Sequence, residues 1–151
     1  MRISAVIGKN FGDEGKGLVT ASLSLSYKKP LIIKTNGGAQ AGHTVENPEK
    51  GTRFIHHQTG SGSEYGATTL WSETYHPDLY KLEEEVEGLK SAFGRLPVIF
   101  AEPNTEITTI DDILINMAIE NKRGEARHGS CGMGIHECCK RGAAGFGLPI
   151  A

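Results

Sequence analysis

The sequence predicts an α/β fold: a layered domain with a mostly parallel central sheet and an atypical phosphate-binding loop. Two observations support this. Short apolar runs with strand character alternate with helical patterns along the 151 residues, which favours helices layered on a parallel sheet. Two glycine-rich loops each follow one of these runs directly, and parallel sheets bind ligands beyond the carboxyl ends of their strands. We therefore expect a single domain over residues 1–151 with its site at those strand ends.

The first predicted strand, residues 3–7, is apolar and rich in β-branched side chains. It leads into the loop Gly8-Lys9-Asn10-Phe11-Gly12-Asp13-Glu14-Gly15-Lys16-Gly17, and residues 18–25 can continue as a helix. A strand, a glycine-rich loop and a helix N-terminus together present several backbone N–H groups to a phosphate. Lys16 adds a positive charge for the phosphate oxygens.

This loop departs from the usual phosphate-loop pattern, Gly-x4-Gly-Lys-Ser/Thr. Asn10 stands where the first glycine is expected, and Gly17 stands where the Ser or Thr is expected. Asp13 and Glu14 lie inside the loop instead. Carboxylates among phosphate-binding amides are electrostatically costly unless a metal or a proton transfer requires them. The loop alone therefore indicates either that chemistry or a plain strand-to-helix turn with solvated acids.

A second loop, Asn36-Gly37-Gly38-Ala39-Gln40-Ala41-Gly42-His43-Thr44-Val45, follows a second predicted strand, Leu31-Ile32-Ile33. Gly-Asp-Glu-Gly-Lys-Gly and Asn-Gly-Gly-x-x-Ala-Gly-His-Thr together resemble the two signature loops of the adenylosuccinate synthetase family. A third stretch, Arg127-His128-Gly129-Ser130-Cys131-Gly132-Met133-Gly134-Ile135, resembles the family's Gly-Thr-Thr-Gly-Arg-Gly-Ile-Gly with clear departures. The resemblance covers essentially the whole chain, but only the N-terminal portion of the family's longer chain.

The resemblance implies a ligase that joins L-aspartate to IMP with hydrolysis of GTP, using Mg²⁺. In the implied mechanism a carboxylate removes the N1 proton of the hypoxanthine, O6 attacks the γ-phosphate of GTP, and aspartate then displaces phosphate. Carried over by motif position, Asp13 is the base and a metal ligand, and the Gly42 carbonyl completes the metal site. His43 protonates or hydrogen-bonds the transferring phosphoryl oxygen, and Lys16 stabilises its charge.

The same matching implies a larger nucleotide-binding set. The residues expected to face GTP are Gly12, Asp13, Glu14, Gly15, Lys16, Gly17, Leu18, Gly42, His43 and Thr44. Those expected to face IMP are Asp13, Glu14, Gly15, Lys16, Gln40, Ala41, Gly42 and His43.

Several positions depart from the family pattern. Gln40 stands where the family usually has Asn, which keeps the amide but shifts it by one methylene. Ser130 and Cys131 replace two threonines, and Met133 replaces an arginine. Arg141 is the nearby candidate for the family's arginine that reaches across a dimer. The resemblance therefore implies a homodimer.

The remaining elements follow in order. Thr52-Arg53-Phe54-Ile55-His56-His57 and Thr68-Thr69-Leu70-Trp71 are predicted strands, and the Gly/Ser-rich residues 58–67 between them are predicted to be irregular. A helix opens at His76-Pro77-Asp78, with an apolar face and a solvated acidic face. The apolar face consists of Leu79, Leu82, Val86, Leu89 and Phe93, and the acidic face of Glu83, Glu84, Glu85 and Glu87. A strand at Pro97-Val98-Ile99-Phe100-Ala101 and a helix over residues 110–122, capped by Thr109 and ended at Gly124, complete the pattern.

Composition excludes several classes of function. A net charge of −2 gives no electrostatic case for nucleic acid or an anionic membrane. The apolar runs are too short to span a bilayer, and the N-terminus lacks a signal-peptide pattern, so we expect a cytoplasmic protein. Three cysteines give no disulfide framework. Cys131, His136, Cys138 and Cys139, with His128 nearby, match no standard spacing of zinc ligands.

Three hypotheses remain at this point. The favoured one is the N-terminal piece of an adenylosuccinate synthetase-like enzyme. Residues 142–151 end without a capped element, and they cannot supply the family's guanine-reading motif or its aspartate-binding loop. The alternative is a short paralogue or subunit that binds a purine nucleotide without ligation. The third, a different phosphate-loop enzyme such as a small kinase or GTPase, is disfavoured by the broken loop pattern and the lack of a Lys-x-Asp guanine signature.

Overall fold

The computed structural model describes residues 2–10, 12–49 and 51–151. The helices are α1 (Lys16–Ser24), α2 (Leu79–Phe93), α3 (Ile110–Arg123) and α4 (Ile135–Ala143), with short 3₁₀ turns at Ser63–Tyr65 and Gly124–Ala126. The strands are β1 (Leu31–Lys34), β2 (Gly37–Gly38), β3 (His43–Asn47), β4 (Thr52–His56), β5 (Thr68–Trp71), β6 (Tyr75–His76) and β7 (Val98–Ala101). No helix in the described ranges is both long enough and apolar enough to cross a membrane.

A three-stranded parallel sheet of order β1-β5-β7 forms the centre, which confirms the predicted fold class. Strands β2 and β6 form a separate two-residue parallel pair, and β3 and β4 form an antiparallel hairpin. The sequence predicts the strand at residues 52–56, but it places β3 in a loop and so misses the hairpin. Parallel neighbours need a crossover between them, and α2 connects β5 to β7.

The core lies on one face of the sheet and is unusually polar. Gln58, Thr59 and Thr69 are fully buried, and the Trp71 indole N–H donates to the Gln58 carbonyl at 2.9 Å. The Gln58 side chain exchanges two 2.8 Å hydrogen bonds with the backbone of Asp78. Residues 58–67 are irregular as predicted, apart from one 3₁₀ turn. Their burial was not predicted, and it is possible because most of the polar groups there are hydrogen-bonded, with Glu64 Oε1 as an exception.

The other face of the sheet is apolar and open. Leu31, Ile33, Val98 and Phe100 are 51–60% exposed, and they alternate with inward-facing residues along β1 and β7. The strand register places Ile33, Leu70 and Phe100 side by side across the three strands. This open face is a continuous apolar surface of the kind that marks an interaction surface.

The predicted strand at residues 3–7 does not form. These residues have no sheet partner among the described residues, and Ile3 and Ile7 are 80% and 84% exposed. The run has the composition of a strand, but a strand also needs a neighbour to pair its backbone N–H and C=O groups. The prediction from composition alone is therefore wrong for this chain.

The capped helices match their sequence signals. Asp78 accepts hydrogen bonds from the N–H groups of Tyr80 and Lys81 at the start of α2, and Thr109 with Asp112 forms a capping box at the start of α3. Two details differ. Glu85 is buried, although the sequence assigns it to the solvated face of α2, and Leu79 is 44% exposed, although the sequence assigns it to the apolar face. Helix α4 was not predicted.

Candidate functional site

Three residues of the first loop, just before α1, have positive φ angles. Gly12, Asp13 and Gly15 have φ values of 119°, 57° and 75°, and Gly15 is the residue that caps α1. Asp13 is the only non-glycine residue with positive φ in the described part of the chain. Such a conformation costs about 1–3 kcal/mol and clusters at ligand sites. The Asp13 side chain is exposed, so its carboxylate is available to a ligand.

Glu14 and Lys16 form an ion pair across the top of the loop. The Glu14 carboxylate also accepts from the Asn10 N–H at 2.6 Å. The hydrogen bond from Lys16 is the main reason that the pKa of Glu14 lies below its ordinary value. The pair lies directly against Gly8, where a Cβ would be 2.7 Å from Glu14 Oε2 and 2.9 Å from Lys16 Nζ. The lysine expected to bind phosphate is thus paired with a carboxylate of its own loop.

The second loop packs directly against the start of α1. Gly17 is buried, and a Cβ at this position would lie 2.8 Å from His43 Cβ and 2.9 Å from the His43 carbonyl carbon. Contacts this short essentially never occur between real Cβ atoms and backbone. The two signature loops therefore meet at Gly17 and His43, and only glycine allows this distance.

His43 is held in its neutral form. It opens β3, opposite His56 of β4. Burial lowers its pKa to about 4, and the charges of Lys34 and Lys16 add to this effect. At neutral pH the imidazole therefore carries one N–H donor and one acceptor nitrogen. A neutral imidazole can donate a hydrogen bond to an incoming oxyanion without first losing a charge.

A cavity of about 580 Å³ opens beside the second loop. It is lined by Ala39, Gln40, Phe54, Ile55, His57, Lys81, Glu84, Glu85, Cys131 and Met133. It brings Gln40 from the second signature stretch together with Cys131 from the third. That these two residues bind a nucleotide stays a prediction. Its volume is in the range of small-molecule sites.

The remaining predicted residues lie around these two features. Leu18 is 49% exposed, and Thr44 pairs with Ile55 in the hairpin. The Ala41 carbonyl lies 2.9 Å from His57 Nδ1. A Cβ on Gly42 would lie 3.6 Å from the His57 ring, at ordinary contact distance.

The third stretch is anchored by α3. Ser130 Oγ donates to Asn116 Oδ1 at 2.8 Å, and Glu120 accepts from the N–H groups of Gly129 and Ser130. Cys131 is exposed at the cavity.

Arg141 lies further along, on α4. Its guanidinium binds Asp112 with Nε and Nη2 at 3.0 and 3.1 Å, and also donates to the carbonyls of Ile107 and Phe146. All of these contacts lie within the chain, and a role for Arg141 at a nucleotide stays a prediction.

Sequence reasoning missed the residues that set the electrostatics of the site. Lys34 is largely buried, donates to the His57 carbonyl and lies 5.3 Å above the Tyr75 ring. Burial lowers its pKa to about 8. Glu85 binds the backbone of His57, Gln58 and Thr59. The available sequence signal for Lys34 is a charged residue that ends an otherwise apolar strand.

The comparisons with known proteins decide the family. The model of the adenylosuccinate synthetase family matches residues 5–150. The chain belongs to the adenylosuccinate synthetase family. Adenylosuccinate synthetase from Picrophilus torridus is 32% identical over 133 residues, covering 88% of this chain and 31% of the relative. That from Crocosphaera subtropica is 36% identical over 132 residues, covering 86% and 28%. The family predicted from the signature loops is confirmed.

Solved structures confirm the family fold. Fully ligated adenylosuccinate synthetase from Plasmodium falciparum superposes with a TM-score of 0.81 and 24% identity, covering 95% of this chain and 33% of that one. The succinoaminodeoxyadenylate synthetase of cyanophage S-2L matches with a TM-score of 0.68 and 21% identity, covering 89% and 36%. The chain thus spans about a third of the length of these two proteins.

Proposed function

We propose that this chain forms the phosphate- and IMP-binding half of an adenylosuccinate synthetase, a cytoplasmic, homodimeric ligase that joins L-aspartate to IMP at the expense of GTP. The observation that carries the proposal is the contact between Gly17 and His43. It places the N–H groups at the start of α1 and a neutral imidazole at the same point. A transferring phosphoryl group needs this combination, because its charge is stabilised by fixed donors.

Asp13 is the proposed base. Its carboxylate is exposed in the left-handed bend just before α1, and within the described residues it makes no hydrogen bond or ion pair. A free carboxylate beside the phosphate cradle can accept the N1 proton of a purine bound there. Glu14 is a poorer candidate, because it already binds Lys16 and the Asn10 N–H.

His43 and Lys16 are proposed to act on the phosphoryl oxygens. His43 is neutral at pH 7 and donates an N–H to the oxygen that becomes more negative during transfer. Lys16 must exchange its contact with Glu14 for a phosphate oxygen. Because Glu14 lies in the same loop, the exchange needs only side-chain movement.

The residues present fit the magnesium ion that the family uses. The Asp13 carboxylate and the Gly42 carbonyl offer hard oxygen donors, the type that Mg²⁺ prefers. Both residues are exposed. When bound, Mg²⁺ neutralises charge on the phosphate oxygens.

Binding to the 151-residue chain tests the proposal. Calorimetry with IMP and with GTP plus Mg²⁺, separately and together, should show saturable binding. Gly17→Ala should weaken it at least tenfold, because the added Cβ collides with His43. Gly88→Ala is the matched control, since a Cβ there lies no closer than 3.5 Å to Phe54. A folded protein that shows no heat with any nucleotide at millimolar concentration would refute the proposal.

A second experiment, competition between nucleotides, tests which nucleotides the chain binds. The cyanophage enzyme was solved with dGMP and with dATP as an energy donor, so dGMP and dATP are the informative competitors. Preference for IMP and GTP supports the assignment here, and preference for dGMP and dATP replaces it with the phage type of reaction. In a ligation assay on the chain completed by the remaining sequence of a full-length family member, Asp13→Asn should lower turnover by about 10²–10⁴ while nucleotide binding persists. Binding without any ligation in that completed protein would favour the non-catalytic paralogue.

A further inference from the structure

A cluster of metal-ligating side chains lies away from the nucleotide loops. His76 of β6, Glu106 before α3 and Cys138 of α4 bring a nitrogen, an oxygen and a sulfur to within 4.8 Å of one another. Cys138 is fully buried, and the other two residues are half-buried. The three residues come from positions far apart in the sequence, so no spacing motif could have revealed them.

The Glu106 carboxylate lies against Gly142 and Gly147. A Cβ on Gly142 would lie 2.1 Å from Glu106 Oε2, and a Cβ on Gly147 would lie 2.4 Å from Oε1. Glycine at both positions therefore makes room for this carboxylate. Within the part of the chain that the structure describes, the carboxylate accepts no hydrogen bond and forms no ion pair. A half-buried carboxylate normally acquires such a partner.

The distance between His76 and Cys138 fits a tetrahedral ion. His76 Nδ1 lies 3.6 Å from Cys138 Sγ. Zinc bonds to sulfur at about 2.3 Å and to nitrogen at about 2.0 Å, so two such ligands on a tetrahedral ion are separated by about 3.5 Å. Imidazole, thiolate and carboxylate together form a donor set typical of Zn²⁺.

We propose that His76, Glu106 and Cys138 bind a divalent transition-metal ion, Zn²⁺ by donor type, with water as the fourth ligand. This site is separate from the Mg²⁺ position and does not depend on the proposed ligase function.

Two neighbours support the ligands. Cys139 Sγ lies 3.2 Å from the other ring nitrogen of His76, Nε2, where it orients the imidazole without reaching the ion. Arg141 Nη2 lies 3.6 Å from Cys138 Sγ and favours its thiolate. The Cys138 thiol must lose its proton for the sulfur to bind the ion.

The position of the site suggests what it does. The ion would tie α4 to β6, which pairs with β2 at Gly38 and His76. Gly38 belongs to the first part of the second signature loop. It packs closely against β6, because a Cβ on Gly38 would lie 2.3 Å from the His76 carbonyl oxygen. The metal therefore fixes α4 and the base of that loop together.

Cobalt substitution provides the test, because Co²⁺ bound to a thiolate has a sulfur-to-metal charge-transfer band in the near ultraviolet. The reduced 151-residue protein is titrated with Co²⁺ and then with competing Zn²⁺, and thermal melts are recorded with and without Zn²⁺. We expect one ion per chain, a thiolate band that Zn²⁺ removes, and a higher melting temperature with Zn²⁺.

The variants separate this site from adventitious binding. Cys138→Ser should abolish the thiolate band. Glu106→Gln should weaken Co²⁺ binding at least tenfold, but the Co²⁺ that still binds should show the band. Cys139→Ser should retain the band and lose about 10–100-fold in affinity, as expected for a residue that orients a ligand. The matched control is Cys131→Ser, an exposed cysteine outside the cluster. Absence of a band in the folded wild-type protein, or its loss in Cys131→Ser but not in Cys138→Ser, overturns the proposal.

Discussion

The buried carboxylate of Glu85 gives the sharpest stability prediction. Its Oε1 accepts from the N–H groups of His57 and Thr59 at 3.0 and 2.9 Å and from Thr59 Oγ1 at 2.5 Å. Its Oε2 accepts from the Gln58 N–H at 2.7 Å. These bonds join α2 to the segment that carries His57 into the cavity. We expect Glu85→Gln to destabilise the protein although the side chain keeps its shape.

The magnitude of this effect follows from the donors around the carboxylate. Glu85→Gln replaces one carboxylate oxygen with an NH₂ group, which cannot accept a hydrogen bond. Both oxygens of Glu85 accept from backbone N–H groups, so at least one N–H loses its acceptor whichever way the amide is turned. An unsatisfied buried N–H costs about 1–3 kcal/mol. The remaining bonds lose the strengthening that a charged acceptor gives them. The attraction between the carboxylate and buried Lys34 is lost as well. Together these losses amount to about 3 kcal/mol, or a fall in Tm of about 6–12 °C for a chain of this size.

Urea unfolding followed by circular dichroism measures this change. The matched control is Glu83→Gln, which makes the same chemical change two residues earlier on the exposed face of α2. The control should change the free energy of unfolding by less than about 0.5 kcal/mol. If the two variants differed by less than that amount, the hydrogen bonds to Glu85 would not stabilise the fold and the reasoning would be refuted.

Three further predictions concern charge and surface. NMR titration should give His43 a pKa of about 4, below the value of 6.5 for an unperturbed His. Because the unfolded chain then binds a proton more readily than the folded one, the free energy of unfolding should fall as the pH drops from 6.5 towards 4. A His43 titration near 6.5 would contradict this. Asp112→Asn should cost about 3 kcal/mol in urea unfolding, because it leaves Arg141 without its partner, whereas Asp111→Asn, at an exposed position, should cost little. The chain should self-associate through its open sheet face, and Phe100→Lys should reduce this in sedimentation analysis; equal association in both proteins would count against that face.

Local signals in the sequence predicted the elements that local interactions determine. The cap at Asp78 and the capping box at Thr109 fix where α2 and α3 begin, and glycines fix where they end. The first helix, residues 31–34 and residues 68–71 also formed as expected. The helices depend on neighbouring residues in the chain, whereas the two strands formed because each finds the other as a parallel partner in the sheet.

The failures concern interactions between distant residues. Residues 3–7 have strand composition, but pairing depends on a partner that composition does not reveal. Helix α4 was missed because its sequence, Ile-His-Glu-Cys-Cys-Lys-Arg-Gly-Ala, contains a glycine and weak helix formers. It is held instead by the ion pair between Arg141 and Asp112. Glu85 was misassigned because the donors that bury it come from residues 57–59.

The candidate site divides in the same way. The signature loops named Asp13, Lys16 and His43, and the structure brings Gly17 against His43 as a shared site requires. The sequence could not predict that His43 is neutral, since this depends on burial and on Lys34, which lies on a different strand. The pattern of residues thus predicts which chemical groups form the site, and packing determines whether His43 is charged.

The signature loops and the open sheet face lie on different parts of the structure, so a change on the open face should not affect the loops. The loops rest on α1, the β3–β4 hairpin and the buried segment at residues 58–64, and all of these pack within the chain. Ile33 and Phe100 lie on the open face of the sheet and are 53% and 60% exposed. Family members about three times as long have further chain that could cover them. Phe100→Lys should therefore leave nucleotide affinity unchanged within twofold by calorimetry, while Gly17→Ala lowers it. If Phe100→Lys weakened binding as much as Gly17→Ala, the site would depend on contacts through the open face, and the loops of this chain would not form it alone.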